Sequence, residues 1–174
     1  MAEDRRLINV PETNRDNDAT LIKIRKINHI KYGTATSVVF LDLFHSESQE
    51  YRTTKSFHNV QQCKQGTLIA DNLVKGGIEP KTITILTPYI GQYRQYQLCL
   101  QKYREANPNL ASNIKLHLID LNCVTVDAFQ GFENEVIILD MVITERLGFL
   151  QKASRLGVAL SRAPLCLYII GNKG

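Results

Sequence analysis

The chain has 174 residues, of which 44% are hydrophobic and 22% charged, a composition typical of a globular domain rather than a disordered tail or a collagen-like fibre. The formal net charge of +4 permits an anionic partner such as nucleic acid but does not require one. No run approaches the roughly 18 apolar residues of a membrane helix, and residues 1–10 are charged and contain no apolar signal core. We therefore expect an intracellular protein, cytoplasmic or nuclear, with no membrane partner.

Residues 1–36 differ from the rest and are predicted to form a polar and basic N-terminal arm or linker, followed by one domain at 37–174. Lys23, Arg25, Lys26 and Lys31 occur there with no acidic residue between them. Such a charge run is usually a solvated segment. The alternative is that it lies along a phosphate backbone.

From residue 37 onwards, short apolar runs alternate with amphipathic stretches. Strands are predicted at 37–43, 82–86, 115–119, 123–126, 135–142 and 165–171, helices at 60–75, 91–104 and 153–163, and a polar connection at 53–59. The stripe of Tyr93, Tyr96, Leu100 and Tyr103 on the second helix is interpreted as core packing.

Apolar strands that alternate with helices predict an α/β fold, with a parallel sheet of about five or six strands and helices on both faces. Ligands of such sheets bind at the carboxyl ends of the strands. The loops expected to carry function are therefore those that follow Leu86, Val126, Met141 and Ala163.

The four cysteines and four histidines give no sign of a metal site. Cys63, Cys99, Cys123 and Cys166 are far apart, without the C-x-x-C spacing of zinc or redox sites. We interpret them as reduced, mostly buried hydrophobic residues.

The loop TPYIGQ at 87–92 directly follows a predicted strand. The hydroxyl groups of Thr87 and Tyr89 and the amide of Gln92 are uncharged groups that suit a sugar-phosphate backbone. A strand-to-helix turn built around Pro88 explains the same residues equally well.

The loop VDAFQGFE at 126–133 lies between two predicted strands. Gly131 would let the backbone approach a ligand closely, flanked by the amide of Gln130 and the carboxylate of Glu133. An ordinary turn closed by glycine is the alternative, and Asp127 could equally cap a one-turn helix.

The segment SRLGVALSR at 154–162 carries two arginines on a predicted helix. Arg155 and Arg162 are two helical turns apart, so their side chains point the same way, about 10 Å apart. Two guanidinium groups on one edge of an apolar helix suggest a phosphate partner. Surface arginines paired with nearby acids are the alternative.

In this order, the three loops resemble motifs IV, V and VI of superfamily 1 helicases of the upframeshift (nonsense-mediated decay) type and of their relatives with NFX-type zinc fingers. The matching text is ITILTPYIGQ at 83–92, VDAFQGFENEVIIL at 126–139, GFL at 148–150, RLGVALSRA at 155–163 and YIIGN at 168–172. The resemblance covers residues 37–172 and includes motif order, spacing and the intervening strands.

The resemblance implies a second RecA-like motor domain, related to the P-loop NTPases, that faces ATP bound between two such domains. It implies that Arg162 is the arginine finger, which places positive charge on the transferring phosphate. The other residues implied at the nucleotide are Gln130, Gly131, Glu133 and Arg155. Those implied along the nucleic-acid track or the coupling region behind it are Thr87, Pro88, Tyr89, Gln92 and Asp127.

The sequence also departs from a complete motor. It contains no G-x-x-x-x-G-K-[ST] phosphate loop and no Asp-Glu pair for magnesium, and Val60 stands where some members have a nucleotide-contacting arginine. We therefore expect ATP and Mg²⁺ only in a complete motor that includes a first RecA-like domain, and no ATPase activity from this chain alone.

The predicted function is the C-terminal motor half of an ATP-dependent superfamily 1 helicase acting on single-stranded RNA, with DNA as the other substrate. One alternative is a catalytically inactive module, derived from a helicase, that binds nucleic acid or a partner. A second is an unrelated parallel α/β protein, which the order of the three motifs disfavours.

Overall fold

The structure is a computed structural model that describes residues 18–106, 121–129, 131–142 and 163–172. In chain order its elements are α1 (Ala19–Tyr32), β1 (Val38–Asp42), β2 (Gln49–Tyr51), β3 (Ser56–His58), α2 (Val60–Lys75), a 3-10 helix (Pro80–Thr82), β4 (Ile83–Thr87), α3 (Ile90–Ala106), β5 (Asn122–Thr125), β6 (Val136–Asp140) and β7 (Cys166–Gly171). The predicted strand at 115–119 and nearly all of the predicted helix at 153–163 lie outside the described residues.

Five strands form one parallel sheet in the order β1-β7-β6-β4-β5. The remaining two, β2 and β3, pair with each other as an antiparallel hairpin. The prediction of an α/β fold with a parallel sheet is therefore confirmed. Within the described ranges no helix is long and apolar enough to cross a membrane.

The central strands β4 and β6 are buried along their whole length. Successive side chains of a strand point to opposite faces, and Ile83 and Ile85 join one core cluster with Ile24, Leu73 and Tyr96. Because these last three residues belong to α1, α2 and α3, all the described helices pack on that face. A smaller cluster, with Leu86, Ile137, Leu139 and Leu167 among its members, occupies the opposite face.

Residues 19–32, expected in the polar arm, form the packed helix α1. Asp18 caps it by accepting hydrogen bonds from the N–H groups of Thr20 and Leu21 at 2.8 and 3.2 Å. Its buried side consists of Leu21, Ile24 and Asn28. The interpretation of these residues as a solvated linker is therefore wrong. The buried side of the helix is narrow, and the basic residues around it made it unrecognisable in the sequence. The domain boundary at residue 36 stays a prediction.

Helix α2 has the predicted bounds, whereas two other segments differ from expectation. The edge strand β1 is only half-buried, and Phe40 on it is 51% exposed. The predicted polar connection at 53–59 contains β3, which pairs with β2. Strands of three residues are too short to produce a recognisable alternation of polar and apolar positions.

Candidate functional site

The loops that follow β4 and β5 lie side by side, because the carboxyl ends of parallel strands share one edge of the sheet. Thr87 at the end of β4 is in register with Thr125 at the end of β5. The N–H group of Val126 donates to the carbonyl oxygen of Thr87 at 3.0 Å. Two of the three loops selected from the sequence are thus brought together at the carboxyl edge.

Most of the first loop is buried and serves the fold. Thr87 and Gln92 are completely buried, Pro88 is buried, and Tyr89 is half-buried. The hydroxyl oxygen of Thr87 accepts from the N–H group of Tyr89 at 3.5 Å. Of these residues, Tyr89 is the one whose side chain reaches the surface.

Gln92 bonds to protein groups rather than facing outward. Its Nε2 donates to Asp140 Oδ2 at 2.6 Å and to the carbonyl oxygen of Asn59 at 3.0 Å. Its Oε1 accepts from the N–H group of Asn59 at 2.7 Å. Both the oxygen and the nitrogen of the amide are therefore bonded within the protein. The coupling role remains a proposal.

Asp140, the partner of Gln92, was missed by sequence reasoning. It is completely buried at the end of β6, and its carboxylate accepts from Gln92, from the hydroxyl group of Tyr96 at 2.7 Å and from the N–H group of Val142 at 3.0 Å. Burial raises the pKa of Asp140 to about 6, against the effect of these three hydrogen bonds. An acid directly after VIIL was the available sequence signal.

The second loop presents an open backbone beside exposed side chains. Gly131 has φ 89°, and a Cβ built there would meet nothing within 4 Å. Asp127 and Glu133 are exposed, and Phe132 is 63% exposed. Among the described residues, nothing therefore blocks the approach of a ligand to the Gly131 backbone. Gln130 lies outside the described residues.

The third segment, at 154–162, lies outside the described residues. Arg155 and Arg162 both lie outside the described residues, so their positions stay predictions. Ala163, which follows Arg162 directly, packs against the cluster on the face opposite α1, α2 and α3.

The β2–β3 hairpin, which the sequence did not reveal, lies at the same carboxyl edge. The N–H group of Gly91 donates to Ser56 Oγ at 2.9 Å, and the rings of Phe57 and Tyr89 are 5.5 Å apart in an edge-on arrangement. The turn at 52–55 is exposed and carries Arg52 and Lys55. Two cations thus lie on an element that packs directly against Tyr89.

The basic residues of α1 lie at the other edge of the sheet. Ile27 packs against Gly76 and Lys23 lies beside Gly77, both at the end of α2. Asn28 approaches Cys166, the first residue of β7, with an Nδ2–Sγ distance of 4.0 Å. Helix α1 therefore lies near the amino ends of the strands, away from the loops selected from the sequence.

Parts of the chain that the structure describes contain no group of three or more His, Cys, Asp or Glu residues able to hold a metal ion. Their cysteines are all free.

The five-stranded parallel sheet of the described residues, with the 87–92 and 126–133 loops at its carboxyl edge, is the architecture of a RecA-like domain. Residues 4–174 match the AAA_12 family, described as an AAA domain. The chain belongs to this family, the C-terminal RecA-like domain of upframeshift-type superfamily 1 helicases, which confirms the resemblance seen in the sequence.

Individual relatives agree with this family. A Methanocaldococcus jannaschii protein named as an uncharacterized ATP-dependent helicase is 33% identical over 122 residues, 70% of this chain and 16% of that protein. The Drosophila melanogaster regulator of nonsense transcripts 1 homolog is 37% identical over 120 residues, 67% of this chain and 10% of that protein. Human NFX1-type zinc finger-containing protein 1 is 31% identical over 160 residues, 90% of this chain and 7% of that protein. The chain thus spans only a small part of the length of each relative.

Proposed function

We propose that the chain is the C-terminal motor half of an ATP-dependent helicase that moves along single-stranded RNA. The observation that carries the proposal is the meeting of the 87–92 and 126–133 loops at one edge of the sheet, in a chain that belongs to this helicase family. RNA is the favoured substrate because one relative is named for nonsense transcripts.

The loop at 126–133 fits one wall of a nucleotide cleft. Its Gly131 backbone is open to approach, and the carboxylate of Glu133 is exposed beside it. Gln130 and Arg155 would complete this wall, and Arg162 would act as the arginine finger toward a nucleotide held mainly by a first RecA-like domain. ATP with Mg²⁺ would supply the free energy of movement; this chain would contribute position and positive charge.

The nucleic-acid side of the proposal depends on accessible groups. Tyr89 and Asp127 are the two implied track residues with accessible side chains. The cations of the neighbouring hairpin, Arg52 and Lys55, add positive charge at the same edge, where phosphates would be attracted. Thr87, Pro88 and Gln92 would act behind the track by keeping the loop in shape.

To test the proposal, this chain is joined to the first RecA-like domain of an upframeshift-type helicase, which carries an intact phosphate loop. We expect ATP hydrolysis that rises on addition of single-stranded RNA, and less with single-stranded DNA of matched length. A joined protein that binds ATP but shows no stimulation by either strand would contradict the motor proposal. If single-stranded DNA stimulated hydrolysis more strongly than RNA, DNA would take the place of RNA as the proposed substrate.

The second candidate is an inactive binding module, favoured by the missing phosphate loop in these 174 residues. Its signature would be strand binding by this chain that neither ATP nor a first RecA-like domain changes. A motor half should instead bind a strand more tightly once the first domain is present, because the track is shared between the two.

A further inference from the structure

Val142 adopts a backbone conformation that its side chain disfavours. Its φ is 66°, in the left-handed region. A β-branched residue is a genuine outlier there, because the branched side chain crowds the backbone. The residue is completely buried and lies two positions after the end of β6. Conformations of this kind persist only where surrounding groups hold them.

Side chains from two elements hold Val142 in place. Its N–H group donates both to Gln62 Oε1 at 2.9 Å and to Asp140 Oδ1 at 3.0 Å. Its carbonyl oxygen accepts from Asn59 Nδ2 at 3.4 Å and, at the limit of a hydrogen bond, from Gln62 Nε2 at 3.5 Å. Gln62 therefore contacts both ends of the residue, and we call Asn59, Gln62 and Asp140 the Val142 clamp.

The clamp is also bonded to the loop that carries Tyr89. Gln92, the last residue of the 87–92 segment, bonds to both Asn59 and Asp140. All three clamp residues are completely buried. A buried polar network of this kind is costly if any member loses its partner, so its members hold one another in a single arrangement.

We propose that Gln62 and Asp140 are positioning residues of the motor, which hold Val142 in the left-handed conformation and thereby set the direction in which the chain leaves β6. The proposal rests on the proposed function, since the chain continues from Val142 to Arg155 and Arg162. Neither residue touches the nucleotide. Both act through the backbone of Val142.

Substitution of Gln62 tests the proposal in the two-domain protein. Gln62→Leu removes the acceptor for the Val142 N–H group and one donor to its carbonyl, with little change in volume. We expect kcat for strand-stimulated ATP hydrolysis to fall about tenfold or more with KM for ATP unchanged, as for a lost transition-state interaction. Gln61→Leu, the same change at the exposed neighbouring position, is the control and should leave kcat unaltered.

A second substitution separates positioning from a merely structural role. Glycine adopts positive φ without support, so Val142→Gly in the Gln62→Leu background should restore kcat to within about threefold of the starting value. A double variant that folds but stays as slow as Gln62→Leu would overturn the proposal, as would a folded Gln62→Leu protein with full kcat. Gln62→Met, which is more flexible, replaces Gln62→Leu if that variant does not fold.

Amide hydrogen exchange, measured on this chain alone, tests the clamp independently of ATP turnover. Gln62→Leu should speed exchange of the Val142 N–H about tenfold or more, while the amides of Ile137 and Ile138 in β6 keep their protection. If the Val142 N–H exchanged at the same rate in Gln62→Leu as in the unsubstituted chain, the clamp would be overturned, even if the two-domain protein hydrolysed ATP. If the unsubstituted two-domain protein showed no strand-stimulated turnover, the proposed function would be overturned, and with it the positioning role of Gln62 and Asp140. The exchange measurement would still show whether the clamp holds Val142.

Discussion

Asp140 makes the stability of the fold depend on pH in a direction opposite to that of most carboxylates. Burial raises its pKa from the ordinary 3.8 to about 6. A raised pKa in the folded state means that the folded protein binds the proton more tightly than the unfolded chain. The stabilisation is present at low pH and is lost as the pH rises through about 6.

We therefore expect Asp140 to lower the free energy of unfolding by about 2 kcal/mol between pH 4.5 and 7.5, at roughly 1.4 kcal/mol per unit. Tyr96, Cys63 and Cys123 face the same carboxyl group. Burial raises the pKa of Tyr96 and of Cys123, and a hydrogen bond with Cys99 together with burial raises that of Cys63. These groups stay neutral in this range and add no slope.

Urea unfolding of the unsubstituted chain and of Asp140→Asn at both pH values checks this prediction. The variant cannot titrate at position 140, so the difference between the two proteins should change by about 2 kcal/mol between the pH values, with the native aspartate relatively better at pH 4.5. A constant difference would show that Asp140 has an ordinary pKa.

Arg162 should matter little for folding and greatly for catalysis. An arginine finger contributes about a thousandfold or more to the rate of phosphoryl transfer, whereas a surface arginine with only an ion pair affects stability by about 1 kcal/mol or less. In the two-domain protein, Arg162→Ala should melt near the normal temperature and lose nearly all strand-stimulated ATPase. Arg162→Lys should also fail, because lysine lacks the planar fork.

Calorimetry and steady-state ATPase assays of the same preparations measure both quantities. Arg155→Ala, in the same predicted helix, is the comparison. It should lose less activity than Arg162→Ala, since Arg155 is expected to support the site. Loss of an arginine finger should leave far less than a tenth of the ATPase activity. If Arg162→Ala kept more than about a tenth, the assignment of Arg162 as the finger would be abandoned.

At the level of single residues, the sequence selected candidate loops but did not indicate which of their side chains are accessible. Tyr89 and Gln92 looked alike as polar loop residues, yet one is half-buried and the other is completely buried. The difference arises from Asp140, which is 48 positions away along the chain and accepts from Gln92. Pairings over such a distance depend on strand order, which local residue patterns do not encode.

At the level of elements, predictability followed the strength of local signals. Helix α2 was predicted at its observed bounds because apolar residues cluster on one side of it and Gly76 follows its end. The structure adds a cap at its start, where Asn59 Oδ1 accepts from the Gln62 N–H group at 3.1 Å. Helix α1 was missed because the buried side of the helix includes a polar residue, Asn28, whose Oδ1 accepts from the Tyr168 hydroxyl group at 2.6 Å. From the sequence alone, a buried asparagine is taken for a surface residue, because its hydrogen-bond partner is not known.

The two basic elements should contribute differently to strand binding. The sequence alone pointed to the basic run of Lys23, Arg25, Lys26 and Lys31. This run lies on α1, whose Lys23 is beside Gly77 near the amino edge, whereas Arg52 and Lys55 lie on the hairpin at the carboxyl edge. Because each phosphate contact to a single strand contributes about 0.7 to the slope of log K against log salt, Arg52→Ala with Lys55→Ala should reduce the slope by about 1.4. Lys23→Ala with Lys26→Ala should leave the slope nearly unchanged.

Fluorescence anisotropy with a labelled single-stranded RNA, titrated at several salt concentrations, measures both slopes on the same scale. The two double variants carry the same loss of charge, so a general effect of net charge should appear equally in both. A larger loss for the α1 pair would show that the strand crosses the amino edge and would restore the interpretation of α1 as a backbone-binding segment.

At the level of the whole molecule, we propose that the chain supplies one side of a nucleotide cleft. The described residues near the proposed nucleotide are an open glycine backbone at Gly131 and the carboxylate of Glu133. Neither offers the row of N–H donors and the lysine with which a phosphate loop holds the β- and γ-phosphates. Positive charge from Arg162 would be useful only once a second domain presents the phosphates to it.

The 174-residue chain by itself should therefore bind ATP weakly and hydrolyse it negligibly. Isothermal titration with ATP and Mg²⁺ and a coupled ATPase assay measure the two quantities, and the two-domain protein is the positive control. Turnover near the typical enzymatic value of about 10 per second by the purified chain would mean that it holds phosphates by a route its sequence does not reveal, and the motor-half proposal would fail. Turnover that appears only when the first RecA-like domain is added, and that disappears again with Arg162→Ala, is the expected result, because the phosphate loop and the finger then come from opposite sides of one cleft.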